Sequence, residues 1–175
     1  MTQGVPEESQ FLDGLQSILV RHFHNFLALK KEKGKQPGSK AWSDAAKKLV
    51  LQRFPFVKDE FIFHRRSKSA FDLYSPLHDL AIELEMFQGN AIYEFHKVLF
   101  KMVIAGPSYT KLVMVIPEKP GVKQLRSPFN RISFETFERV HHFKITWMIL
   151  DRGPKGWRGS ISDLHGLFPQ LPPEA

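Results

Sequence analysis

Three carboxylates, and the strands on which they fall, carry the sharpest chemical signal in this chain. Asp72 lies in the segment Ala70–Tyr74 (AFDLY), and eleven residues later a Glu83-Leu84-Glu85 triplet lies in Asp79–Met86 (DLAIELEM). Residues i and i+2 of a strand project to the same side, so Glu83 and Glu85 point together. If the two strands pair through a Ser75–His78 turn, Asp72 reaches the same place. Three converging carboxylates repel one another, and a hard divalent cation with oxygen ligands relieves that repulsion. Mg²⁺ (or Mn²⁺) uses one or two carboxylates and keeps positions for water and phosphate. Such an ion polarises a phosphodiester and lowers the pKa of a bound water. Asp72, Glu83 and Glu85 are therefore candidate metal ligands and catalytic residues. An alternating strand with acids on its solvent face has the same pattern, so spacing alone leaves both readings open.

Other chemistries lose support. There is no cysteine, which excludes a disulfide framework, a thiolate zinc site, an iron–sulfur cluster and a cysteine nucleophile. The eight histidines include no His-x3-His or His-Glu-x2-His spacing, so a histidine zinc site has no motif behind it. Neither a Gly-x4-Gly-Lys-Ser/Thr loop nor a Gly-x-Gly-x2-Gly turn occurs, and no Gly-x-Ser-x-Gly elbow.

Charge points to a partner. Lys and Arg number 25 against 18 acids, a formal +7. Nucleic acid is the expected partner of so basic a domain, and a surface that merely happens to be basic is the plainer alternative. Much of the excess is local: between Lys30 and Lys48 seven lysines stand against Glu32 and Asp44. Lys30, Lys31, Lys33, Lys35 and Lys40 form the densest run, and Arg65, Arg66 and Lys68 a second, smaller one. Both are candidate nucleic-acid-binding segments; a solvated charge run is the plainer alternative. Arg126, Arg131 and the Lys155-Gly156-Trp157-Arg158 loop are candidates for base reading or stacking, and a buried Trp157 that closes the fold is an equal alternative.

The elements that must position these residues follow from periodicity. The 175 residues, 42% apolar and 25% charged, suit one globular domain. Segment 7–54 reads as a helical pair. Phe11, Leu15, Ile18, Leu19, His22, Phe26 and Leu27 share a face of the first helix, and Trp42, Ala45, Ala46, Leu49 and Val50 turn inward from the second. From Phe56 the period falls to two. Strands are expected at Glu60–Arg66, Ala70–Tyr74, Asp79–Met86, Lys111–Ile116 and Phe143–Leu150. Helices are expected at Ala91–Ala105 and at Ser133–His141, the latter capped by Ser133. Residues 152–175 read as a loop-rich tail. A strand–helix–strand unit over Asp79–Ile116 implies a parallel pair with a right-handed crossover. The expected class is α/β, a mixed sheet flanked by helices. No apolar run approaches the roughly 18 residues of a membrane span. The acidic first ten residues do not resemble a signal peptide, so the expected location is intracellular, in the cytoplasm.

An Asp on one strand, a Glu-x-Lys or Glu-x-Glu triplet on the next and a lysine on the following helix resemble the core of the PD-(D/E)XK nuclease superfamily, the restriction-endonuclease-like fold. Here the pattern is Asp72, then Glu83-Leu84-Glu85, then the helix through Tyr93-Glu94-Phe95-His96-Lys97, then Lys111–Ile116. The resemblance spans about Glu60 to Pro117, within a core of about 56–151. Phe71 stands in place of the proline that names the family, and Glu85 in place of its lysine. The resemblance implies that Asp72 and Glu83 bind Mg²⁺ and that Glu85 assists the metal or orients the attacking water. It implies that Lys97 stabilises charge on the attacked phosphate, with Lys101, one turn on, as second choice. Glu60 would be an accessory acid. The implied activity is metal-dependent hydrolysis of DNA, by a homodimer whose subunits cut one strand each. A module of the same fold that binds DNA without cutting is the first alternative. The second is an α/β domain with a protein partner.

Overall fold

The computed structural model describes residues 6–33, 39–64, 69–85, 91–106, 108–117, 125–153 and 156–163. Two helices come first, α1 (Glu8–Lys33) and α2 (Ser39–Arg53). After them come β1 (Lys58–His64), β2 (Ser69–Ser75), β3 (Leu80–Leu84), α3 (Ala91–Ala105), β4 (Lys111–Pro117), α4 (Pro128–His141), β5 (Lys144–Gly153) and β6 (Gly156–Ser162). The class is α/β: one six-stranded mixed sheet in which spatial order equals chain order. β1, β2 and β3 form an antiparallel meander, β3, β4 and β5 run parallel, and β6 turns back antiparallel on β5. The sheet advances in one direction through both parallel connections, and right-handed crossovers then put α3 and α4 on the same face.

The two faces hold separate cores. On one, Phe95, Leu99 and Met102 of α3 and Phe134 of α4 meet Met114, Ile116, Ile145, Trp147 and Ile149. On the other, Phe11, Leu15 and Leu19 of α1 with Trp42, Ala46 and Val50 of α2 meet Ile82, Leu84, Val113, Val115, Met148 and Leu150. β3 and β4 are covered on both sides; β4 is the apolar run that a doubly buried strand favours, whereas β3 carries the buried Glu83 within it. α1 passes close to the C-terminal end of α2 at Gly14, where a Cβ would stand 2.8 Å from Phe54 Cζ.

Several expectations are corrected. Helix α4 starts at Pro128, not Ser133. Ser127 is extended (φ −68°, ψ 145°) and its Oγ accepts from Asn130 N, while Pro128 sits where a missing N–H costs nothing. The tail is not all loop, since β6 pairs with β5 from Trp147↔Ser162 to Gly153↔Gly156. Leu49 faces outward at 39% exposure, and Lys47, not named as inward, is 7% exposed. Phe23 is buried on α1, whereas His22 is only half-buried. The side chains of Phe26 and Leu27, and Met86, lie outside the described residues. Among the described residues no helix is long and apolar enough to cross a membrane.

Candidate active site

The β2–β3 turn fixes the register on which the acids depend. His78 N donates to Ser75 O at 3.3 Å. Asp79, in the left-handed region at φ 49°, accepts from Tyr74 Oη at 2.8 Å and Thr110 Oγ1 at 3.3 Å. Pairing then runs Ser75↔Leu80, Tyr74↔Ala81, Leu73↔Ile82. One step further, Asp72 stands across from Glu83. There the regular ladder ends, and Asp72 Oδ2 itself accepts the Leu84 N–H at 2.9 Å. Alternation breaks at the same point: Leu73 belongs to the α1/α2-side core, and Phe71, two residues away, to the α3/α4-side core.

Glu83 is the buried member of the group, 1% exposed inside a strand flanked by β2 and β4. It shares the side of Ala81, which packs in the α3/α4 core. Its carboxylate is therefore not on a solvated face, and the surface-strand reading fails for it. Lys101, reaching over from α3, donates to Glu83 Oε1 and Oε2 at 2.8 Å each. Burial pushes the Glu83 carboxyl up, to about 8; Asp72 and Glu85 add to the rise and Lys101 opposes it. Glu85 continues the parallel ladder, its N donating to Val115 O at 2.8 Å. Burial raises its carboxyl to about 7, again opposed by Lys101 and reinforced by Asp72.

The structure thus gathers Asp72, Glu83, Glu85 and Lys101 at the end of the β2–β3 ladder. Lys97 hydrogen-bonds none of these acids: its Nζ donates to both oxygens of Glu94 at 2.9 and 2.8 Å and lies over the Tyr93 ring, half-exposed, while its charge acts on Glu85. Glu60 does join the edge of the group. Asp59 pairs with Leu73 and Phe61 with Phe71, which sets Glu60 opposite Asp72, with φ at 40°. A non-glycine residue held there is strained.

Lys47 is the residue that sequence reasoning missed. Its Nζ lies 3.0 Å from Glu60 Oε1, 3.6 Å from Asp59 and 3.9 Å from Asp44. Burial alone would lower its pKa; Glu60, Asp59 and Asp72 more than offset this and hold it above the usual lysine value. The available signal was its place beside the Trp42–Ala46–Val50 stripe of α2, hidden by the lysine-rich composition around it.

Among the described residues no three His, Asp or Glu side chains form a group that could hold a metal ion. The donor set is instead an acid pair, Asp72 and Glu83, with Lys101 lying on Glu83. Two carboxylates suffice for Mg²⁺, which keeps most of its coordination for water and phosphate. Of the basic candidates, Lys40 is exposed at the start of α2; the side chains of Lys30, Lys31 and Lys33, and Lys35, Arg65, Arg66 and Lys68 entirely, lie outside the described residues. Arg158 is paired with Asp151 at 2.8 and 3.1 Å, and Arg131 with Glu135 at 2.8 Å. The Trp157 side chain and Lys155 lie outside the described residues. No family model matches the chain, and no curated protein and no solved structure matches it either.

Proposed function

We propose that this chain is a metal-dependent nuclease of restriction-endonuclease-like fold that hydrolyses DNA phosphodiester bonds. One observation carries the reading: a carboxylate, Glu83, is held 1% exposed across a strand pair from Asp72, with a lysine on both its oxygens. Burying a carboxylate costs several kcal/mol, roughly, after relaxation, and a second acid beside it adds to that cost. Carboxylates raised by burial and crowded by like charge are characteristic of catalytic sites. The order of the meander, α3 and β4 supports the fold assignment.

Asp72 and Glu83 would hold Mg²⁺, which when bound supplies a water of lowered pKa and charge neutralisation at the phosphate. The chain's own groups do the remainder. Glu85, raised to about 7, changes protonation near neutral pH and is suited to accept a proton from the attacking water. Lys101 carries the positive charge nearest the acids and takes the role of stabilising charge on the attacked phosphate, which the sequence had given first to Lys97. Lys47 restrains Glu60 beside Asp72.

The second reading is a DNA-binding module without cleavage, favoured by the same Lys101–Glu83 contact taken as a closed structural ion pair. Cleavage of plasmid DNA with Mg²⁺ or Mn²⁺ decides between them, with EDTA and Asp72→Ala as controls. Cutting that needs metal and is lost in Asp72→Ala while DNA binding persists supports the nuclease. Binding without cutting favours the second reading, and neither binding nor cutting overturns both.

A further inference from the structure

A cavity of about 730 Å³ lies between α1 and α2. These helices cover the face of the sheet opposite the one to which Glu83 belongs, so the cavity is not part of the proposed active site. Its volume is that of a small-molecule pocket. Arg21 and Asn25 line it from α1, and Gln52 and Arg53 from α2, with Ile18 and Leu49 as the apolar part of the wall. Leu49 is 39% exposed, an aliphatic surface that neither core takes up.

Among the described residues that line it, the charge has one sign. Among the described residues no acid borders the cavity. Arg21 and Arg53 are exposed, and among the described residues neither takes part in an ion pair. His22 also borders it but adds no charge near neutral pH. Burial lowers its pKa, and its Nε2–H donates to the Trp42 carbonyl at 3.2 Å. The positive potential is therefore that of two guanidiniums. Guanidinium forks match the oxygens of a phosphate, and the amides of Asn25 and Gln52 add neutral donors. Aliphatic wall and cationic rim together describe a ligand with an apolar body and an anionic head.

We infer that the α1–α2 cavity binds a small organic phosphate, its head between Arg21 and Arg53 and its apolar body against Ile18 and Leu49. This holds whether or not the chain cleaves DNA.

Titration calorimetry with 1-naphthyl phosphate tests it on the full chain, with inorganic phosphate, 1-naphthol and a short single-stranded DNA as comparison ligands. The expected result is one saturable site, with both inorganic phosphate and 1-naphthol binding more weakly. Arg21→Gln and Arg53→Gln should each weaken naphthyl phosphate about tenfold, the loss of one charge-assisted partner. Leu49→Trp should block the apolar part and weaken it as well, with circular dichroism unchanged in all three variants. No binding of naphthyl phosphate, or equal binding by wild type and the arginine variants, overturns the inference. Inorganic phosphate or 1-naphthol binding as tightly overturns the two-part ligand. DNA displacing the probe through the same arginines overturns the assignment to a small molecule in favour of a nucleic-acid surface.

Discussion

Lys97 and Lys101 lie one helical turn apart on α3, yet it is Lys101 that hydrogen-bonds Glu83, while Lys97 pairs with Glu94. A turn of helix moves a side chain by about 5.4 Å along the axis, enough to decide which ammonium meets a buried carboxylate. Lys101→Met is expected to lower cleavage on the order of 100-fold, the usual effect of removing one positioned electrostatic group, while Lys97→Met leaves it nearly unchanged. Single-turnover rates on plasmid DNA check this, and the reverse ranking would restore Lys97. A second expectation concerns pH. Glu83 has an ordinary value of 4.5 and is raised to about 8 in the folded chain. Between those values the folded state keeps a proton that the unfolded state has lost. This contribution to stability is full below about 4.5 and is lost as pH rises through about 8. Thermal melts of Glu83→Gln across that window should show a shallower fall than wild type, with the remaining slope from Glu85. Identical profiles would show that Glu83 does not titrate there. Asp72 and Glu83 were legible in the sequence because strand alternation and a tight turn fix what faces what. The choice of Lys101, the backbone of Glu60 and the burial of Lys47 were not, since each depends on how one element lies on another.

At the scale of elements, the periodic segments declared themselves and the punctuation misled. Ala91–Ala105 has one clear helical period, and Lys111–Ile116 is a continuous apolar run stopped by Pro117. The start of α4 turned on two serines, and Pro128, directly after Ser127, was the deciding mark. β6 was obscured by Gly156 and Gly159, which weaken strand propensity. It forms because β5 offers an open edge, and glycine suits position 159 because a Cβ there would collide with the Gln16 side chain of α1. The other close approach gives a prediction. In Gly14→Ala the new Cβ would stand 2.8 Å from the tip of Phe54, whose ring packs edge-on against Phe11 at 4.9 Å. Alanine improves helix propensity by about 1 kcal/mol, and overpacking costs roughly 1–3 kcal/mol. A net loss of about 1 kcal/mol in urea unfolding is expected. A gain would mean that Phe54 moves aside freely.

For the molecule as a whole, the +7 balance bears on association rather than on folding. If DNA lies along the lysine-rich α1–α2 stretch, Lys40→Gln should flatten the log–log salt dependence of DNA affinity by about 0.9, the release of one phosphate contact. An unchanged slope would place the DNA elsewhere. The α/β class was readable from the order of periods. That one sheet separates two cores was not, because the helical pair carries no mark of which face it will cover.

Chain order and sheet order coincide from β1 to β6, so each strand finds its edge in the strand made just before it. The antiparallel pairs β1–β2, β2–β3 and β5–β6 close short loops, which are fast, whereas α3 and α4 must be made before β4 and β5 can pair. α1 is the exception. Of the described elements it is made first, and it packs against β5 and β6, which are made last. On the ribosome, the apolar face of α1 waits without its full partner until β6 emerges. Of the described elements, the earliest helix therefore completes its packing only once the latest strand has been made.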